Sequence, residues 1–235
     1  MTEKPRTKNP RKSPEDRGDA TREKLLTTSI VVFGRYGFDG ATTRMLSEAA
    51  GVNQQAIPYY FGGKEGLYIA AAEHIGSAIS AHVSALRDHT RSRLTEAETT
   101  GTPIGREEAR GLLTEILQMI AALFVSRESE PWARFLIREQ MEPTEAFKRV
   151  YGGVMKPMLE VVGRLVAILL EDEVGSQRVR LRTLSLIGSV MVFRVAHAAV
   201  LAQLEWKAIG PQELDIVRGL ARELVSTINP EGGNA

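Results

Sequence analysis

The chain contains no cysteine, which excludes disulfides, thiolate nucleophiles and thiolate metal sites together. It has no run of alternating apolar and polar residues long enough to make a strand, and no internal repeat. The signatures of several enzyme classes are missing too: there is no HExxH, no phosphate-binding P-loop, no GxGxxG and no nucleophile elbow. Neither sign of charge dominates, because the formal net charge is +1, so the whole-chain field does not advertise nucleic acid. The first residues, MTEKPRTKNPRKSPEDRGD, are basic and Pro-rich with no apolar core, and do not read as a secretory signal. With the absence of cysteine, this fits a cytoplasmic protein.

Long apolar runs are rare. Thr183 to Leu204 is long enough to span a bilayer, but Arg194 sits at its middle, at a cost of about 2.5–3.5 kcal/mol. His197, Ser185, Gly188, Ser189 and Gln203 dilute it further. The segment therefore reads as a helix buried in an oligomer, with no membrane partner. The histidines His74, His82 and His89 form a row on one expected helix. Spread over two turns each, they cannot converge on a metal within one subunit, and a solvated polar face is expected. No catalytic residue, metal site or cofactor is assigned.

What is present is helical throughout, and an apolar content of 43% supports a real core. Residues 1–18 are expected to be a disordered basic arm, with almost no apolar residue to fold around. A first helix should run from Asp19 or Thr21 to Tyr36, its stripe made by Leu25, Leu26, Val32, Phe33 and Tyr36, with Gly37 ending it. After Gly62-Gly63 a long helix runs from about Glu65 to near Arg93, and Thr99 to Gly105 is a loop by composition. Helical patterns then cover about Arg106–Val125, Pro131–Met141, Thr144–Glu171, Ser176–Trp206 and Pro211–Ile228, giving nine or ten helices. Pro157 should kink or split its helix.

The most informative stretch is TTRMLSEAAGVNQQAIPYYFGGKEGL, residues 42–67. Thr42 is an N-cap, and Leu46, Ala49 and Ala50 make an apolar face. Gly51 supplies the positive φ of a tight turn, and Asn53 caps a second helix. Ser47, four before the glycine, is small where the helices nearly touch, and Ile57, six after it, is the branched apolar plug. This is the spacing of a helix-turn-helix, whose second helix enters a DNA major groove. Residues 1–68 carry 11 Lys/Arg against 8 Asp/Glu and the rest 19 against 21, a basic bias at the end holding the motif.

Within the motif, Gln54 and Gln55 open the recognition helix and suit adenine, while Arg44, in the first turn of the preceding helix, suits guanine. Thr43 and Lys64 suit phosphates near helix N-termini. Tyr59 faces the backbone or a base edge; Tyr60 and Phe61 pack inward. Pro58 removes the amide that would bond Gln54 and crowds that carbonyl, so the recognition helix should be short, kinked or partly 3₁₀, with the ring able to meet a thymine methyl. Lys4, Arg6, Lys8, Arg11 and Lys12 of the arm either enter a minor groove or only add solubility.

Phe33, Gly37, Thr42-Thr43, Ala50-Gly51-Val52, Ile57, Tyr59-Tyr60-Phe61 and Lys64-Glu65-Leu67 together resemble the TetR family of bacterial transcriptional regulators. The run REQMEPTEAFKRVYGGVMKPM, residues 138–158, is similar to the ligand domain of the CecR-type subgroup. The resemblance implies an all-α protein: a helix-turn-helix domain at residues 19–68, then a ligand-binding and dimerisation domain at residues 69–235. It implies a homodimer joined through the last two long helices, a palindromic operator as partner, and a small-molecule effector that releases the DNA, with efflux or detoxification genes as targets. The matching position to Arg44 in the tetracycline repressor reads a guanine.

Candidate ligand-binding residues come from the central helices: Met119, Phe124, Trp132, Phe135, Arg138, Met141, Phe147, Tyr151, Met155, Met158, Phe193, Arg194 and His197. Met and aromatic side chains adapt to irregular apolar ligands, and equally fill a plain core. Arg138 and Glu139 either fix a polar ligand group or pair together. Arg194 needs a partner, from a ligand anion, Glu171 or the other protomer. An architectural DNA-binding protein without a ligand, and an all-α enzyme, are the competing functions.

Overall fold

The computed structural model describes residues 14–230, and no strand occurs among them. The arm lysines and arginines named above lie outside the described residues. By packing the chain divides into two compact units, Met1–Ala71 and Ala72–Ala235.

In the first unit, α1 (Pro14–Gly40) begins earlier than the expected Asp19–Thr21 start. Leu25, Leu26, Ile30 and Phe33 are buried at helical spacing, and Ser29 joins them by donating its hydroxyl to Leu26 O at 2.8 Å. Tyr36 does not belong to that stripe. It is 43% exposed, with the Arg35 guanidinium over its ring. Gly37 breaks the helix with φ 74°, a value glycine adopts without strain, and a short turn follows. α2 (Thr43–Ala50) and α3 (Ala56–Phe61) pack on α1 and on each other. The first turns of α4 (Lys64–Thr100) close the unit: Tyr68 is buried edge-on to Phe33, 4.8 Å between centroids, and to Phe38 at 5.1 Å.

The second unit is built around two helices. α5 (Arg106–Val125) packs against α8 (Lys156–Leu170), α9 (Gln177–Val195) and α11 (Pro211–Ser226). α8 is buried almost all round through Met158, Val161, Val162, Leu165, Val166, Leu169 and Leu170. α6 (Glu130–Met141) and α7 (Glu145–Val150) fill the connection between α5 and α8.

Two stretches of helical pattern are broken, the first at the place where Pro157 is expected to kink or split it. The pattern over Thr144–Glu171 becomes α7, a π-helical turn at Tyr151–Met155 and α8. Pro157 has no N–H to return to Gly153 O, and its ring would crowd that carbonyl. The chain widens instead, and Lys156 N bonds Tyr151 O, five residues back. Ser176–Trp206 is also not one helix. α9 stops at Val195, Ala196 leaves helical geometry at φ −105° and ψ 31°, and α10 (His197–Gln203) departs at 83°. No single described helix is long and apolar enough to cross a membrane, although this bent pair passes by length and composition.

Arg194 explains part of the local architecture, and not as expected. Its guanidinium turns neither to Glu171 nor to open solvent. It donates to Phe124 O, Ser126 O and Ser129 Oγ, closing the carbonyl end of α5. Desolvation lowers its pKa from the ordinary arginine value, opposed by the nearby Glu130 charge. Glu171 pairs with Arg106 instead, at 2.7 Å. Replacing Arg194 by Met should remove these bonds and cost about 1.5–3 kcal/mol, measured as a lower urea midpoint at unchanged slope. An unchanged midpoint would mean that the cap contributes nothing.

Candidate nucleic-acid interface

α2 starts because Thr42 is extended and its Oγ1 accepts from Met45 N at 3.2 Å. Leu46 and Ala50 are buried; Ala49, expected beside them, is exposed. Ser47 is 4% exposed and donates its hydroxyl to Arg44 O at 3.0 Å, which lets a polar residue occupy the close contact. Gly51 takes φ 61°, and its N–H and that of Val52 close onto Glu48 O and Ser47 O.

The turn into α3 is tight. Asn53 Oδ1 accepts from Gln55 N at 2.8 Å, and the following bonds, Ala56 N to Asn53 O and Ile57 N to Gln54 O, are of the i to i+3 kind. Asn53 thus caps a 3₁₀ turn, and α3 proper begins only at Ala56 and lasts six residues. Pro58 is the reason. Gln54 O, lacking an amide at 58, accepts from Ile57. Ile57 is fully buried and pins α3 to the unit. Gly62 ends it at φ 72°, and a Cβ on Gly66 would lie 1.8 Å from Phe61 O, so the joint to α4 is closely packed.

On this frame Arg44, Gln54, Gln55, Pro58 and Tyr59 are exposed, Tyr59 by 80%. Gln55, Pro58 and Tyr59 line one open hollow with Thr21, Asn53 and Tyr60, about 870 Å³ in volume. Arg44 Nε donates to Glu48 Oε1 at 2.7 Å, and that hydrogen bond, then the carboxylate's charge, raises the Arg44 pKa above its ordinary value. Thr43 Oγ1 accepts from Gln54 Nε2 at 2.8 Å. Tyr60 and Phe61 are half-buried, with Arg22 over the Phe61 ring.

Lys64 has partners that the expected phosphate role did not include. Its ammonium donates to Phe38 O at 2.8 Å and Ala41 O at 3.0 Å and lies 4.3 Å from the Phe38 centroid. It is a clamp between the end of α1 and the start of α4, with two of its three donors engaged there.

The expected ligand residues lie at different depths. Trp132, Phe135, Met158 and Phe193 are buried; Met119, Phe124, Phe147, Met155, Arg194 and His197 are half-buried. Arg138, Met141 at 79% exposure and Tyr151 at 39% lie on the surface. Met141 is the last residue of α6, and Tyr151 stands on the widened turn, stacked on Phe147 at 5.4 Å. His197 Nδ1 meets Phe193 O at 3.3 Å. Neither of the two described hollows touches this set; the second is lined by Gln177, Arg178, Leu181, Arg182 and Ser185. Glu139 was missed in its actual role. It is 2% exposed, and Oε2 accepts from Thr144 N, Thr144 Oγ1 and Phe147 N, anchoring the start of α7. The signal in the sequence is an acid five residues before Thr144, the cap of α7. His82 is not merely solvated either: its ring nitrogens meet Ala78 O and Glu128 Oε2. No cluster of three metal-ligating residues occurs among the described residues.

The clamp is testable. Lys64→Met keeps the aliphatic stem but loses both carbonyl bonds, so amides of α1 and α2 should exchange faster in the full-length protein. The expected loss is about 2 kcal/mol of local protection. Unchanged exchange would make Lys64 an ordinary surface cation.

Residues 25–71 match the family described as bacterial regulatory proteins, tetR family, and residues 109–230 match the C-terminal domain of the HTH-type transcriptional dual regulator CecR. CecR of Shigella flexneri is 29% identical over 203 residues, covering 86% of this chain and 87% of that protein. The HTH-type transcriptional repressor NicS of Pseudomonas putida is 38% identical over 69 residues, 29% of this chain and 32% of its own. Among solved structures, a TetR-like regulator from Rhodococcus sp. RHA1 shares the fold at TM-score 0.58 and 16% identity, covering 92% of this chain and 97% of that one. AibR, solved with isovaleryl coenzyme A and operator DNA, shares it at TM-score 0.59 and 13% identity, covering 89% and 99%. The exposed helix-turn-helix and the all-helical body behind it are those of a regulator, not an enzyme, and the chain belongs to the TetR family of transcriptional regulators, with a C-terminal domain of the CecR type.

Proposed function

We propose that the protein is a repressor that binds a palindromic operator as a homodimer and is released by a small-molecule ligand. The observation that carries the reading is the exposed row Arg44, Gln54, Gln55, Pro58 and Tyr59 on a rigidly capped helix-turn-helix. Arg suits guanine and Gln adenine, while a tyrosine edge and a proline ring suit backbone and thymine methyl. Such a regulator acts in the cytoplasm, at the nucleoid.

Support for the dimer comes from the second unit. Leu181, Leu184, Met191 and Val195 recur along one face of α9, all between 42% and 56% exposed. Ile216 and Leu220 extend apolar surface onto α11, which touches α9. A contiguous exposed apolar face on two long helices is suited to burial against its own copy about a two-fold axis. The name of NicS as a repressor supports repression, and AibR, crystallised with a coenzyme A thioester and operator DNA, supports ligand control. The CecR-type body alone suggests efflux or detoxification genes. A ligand-independent architectural role is the second reading, in which the buried Trp132, Phe135, Met158 and Phe193 serve only as core.

Selection from randomised duplexes at moderate salt should recover an inverted repeat with half-sites about one helical turn apart. Recovery of no sequence preference would sink the DNA-reading function. Titrating small-molecule candidates into the resulting complex separates the two readings, because an architectural protein stays bound throughout. Leu184→Glu and Ile216→Glu should sediment as folded monomers and bind the repeat roughly 10²-fold more weakly, since one half-site cannot supply the avidity of two. Dimers that persist in both variants would move the interface elsewhere.

A further inference from the structure

We propose that Thr43 is a positioning residue: its hydroxyl holds the Gln54 carboxamide in place, and so sharpens the reading of one base position in each half-site. The inference rests on the DNA-reading role of Gln54 and names how that reading is made selective.

Gln54 lies in the turn between α2 and α3, exposed and ahead of the first residue of α3. A glutamine in such a place has three rotatable side-chain bonds. Its amide can also turn over, exchanging donors for acceptor. The two orientations read different bases. An outward Oε1 beside one N–H complements adenine N6 and N7, whereas an outward NH₂ complements the acceptor edge of guanine or thymine. Either reading is sharp only if the carboxamide is held in place before DNA arrives.

Thr43 supplies the hold. Gln54 Nε2 donates to Thr43 Oγ1 at 2.8 Å across 11 residues of sequence. A threonine hydroxyl both donates and accepts, so the contact fixes the place of the carboxamide; in the orientation seen, one N–H and Oε1 remain for the base, the adenine complement. The platform is stiff. Thr43 is β-branched, half-buried and the first residue of α2, immediately after the Thr42 cap that fixes that end of the helix. The backbone of Gln54 is fixed as well, its carbonyl accepting from Ile57 N at 3.2 Å in the turn imposed by Pro58. Arg44, next in sequence, is held along its own helix by Glu48, so it leaves the Thr43 hydroxyl to Gln54.

The experiment uses the full-length protein and the duplex it selects. Gln54→Ala first identifies the base pair whose preference collapses. Affinities are then measured for that duplex and for the same duplex with only that base pair changed. Thr43→Val, which keeps the shape and removes the hydroxyl, should lower discrimination at that base pair about two- to tenfold, the worth of one freed side chain. Affinity for unrelated duplex and the salt slope should not change. Thr43→Ser should restore discrimination, which separates the hydroxyl from packing. Uniform weakening on every duplex, with the salt slope reduced by about one, would make Thr43 a phosphate contact and overturn the inference. So would unchanged discrimination in Thr43→Val. Failure of the wild type to select any duplex would instead remove the DNA reading itself, a distinct result.

Discussion

An all-helical chain has to satisfy its helix ends, since each α-helix leaves up to four carbonyls without partners in its own ladder. In this protein distant cations meet that demand three times. Lys64 takes Phe38 O and Ala41 O at the end of α1, Arg194 takes Phe124 O and Ser126 O at the end of α5, and Arg110 takes Val225 O, Ser226 O and Ile228 O at the end of α11. A positive charge at a helix C-terminus is favoured by the aligned peptide dipoles as well as by its hydrogen bonds. Glu139 is the acidic counterpart at the N-terminus of α7. Each of the three cations comes from another helix, so each end-cap is also a tertiary link.

This arrangement bears directly on the nucleic-acid face. Lys64 sets where α4 begins relative to the end of α1, and Tyr68, one turn on, then meets Phe33 and Phe38. α2 and α3 sit on that base with little freedom, because both are short and both ends of α2 are capped. The side chains that face solvent can therefore be long and polar without losing their register. Rigidity comes from beneath, and recognition is left to the exposed tips.

Where an element depends on neighbours in sequence, the sequence disclosed it. The Thr42 cap, the positive φ of Gly51, the bounds of α5 and the shortened, partly 3₁₀ entry forced by Pro58 all follow from residues within a turn of one another. What Lys64 and Arg194 bond to was hidden for the opposite reason. Their partners lie 23 to 70 residues away, and nothing in the local pattern distinguishes a phosphate-seeking cation from one that caps a helix. The bend at Ala196 was hidden by an apolar run that continues through it, because hydrophobicity reports burial and not direction. Met141 and Tyr151 looked like pocket residues by type alone, and type does not fix depth.

The widened turn at Tyr151–Met155 also acts as a phase counter. Ala146, Val150, Val154 and Met158 are all buried at a spacing of four, longer than the 3.6 residues of an α-turn, and the π-turn keeps them on one side. Those five residues absorb the extra fraction of a turn that would otherwise accumulate. If one glycine of Gly152-Gly153 were removed, the extra residue would be gone and the turn could close as ordinary α-helix with everything after it still in phase, Pro157 alone crowding the carbonyl four residues back. If instead all the residues present were wound as ordinary α-helix, Val161, Leu165 and Leu169 would be turned by about 100° about the axis of α8. The one extra residue in that turn thus sets the angular origin of the most buried helix in the body.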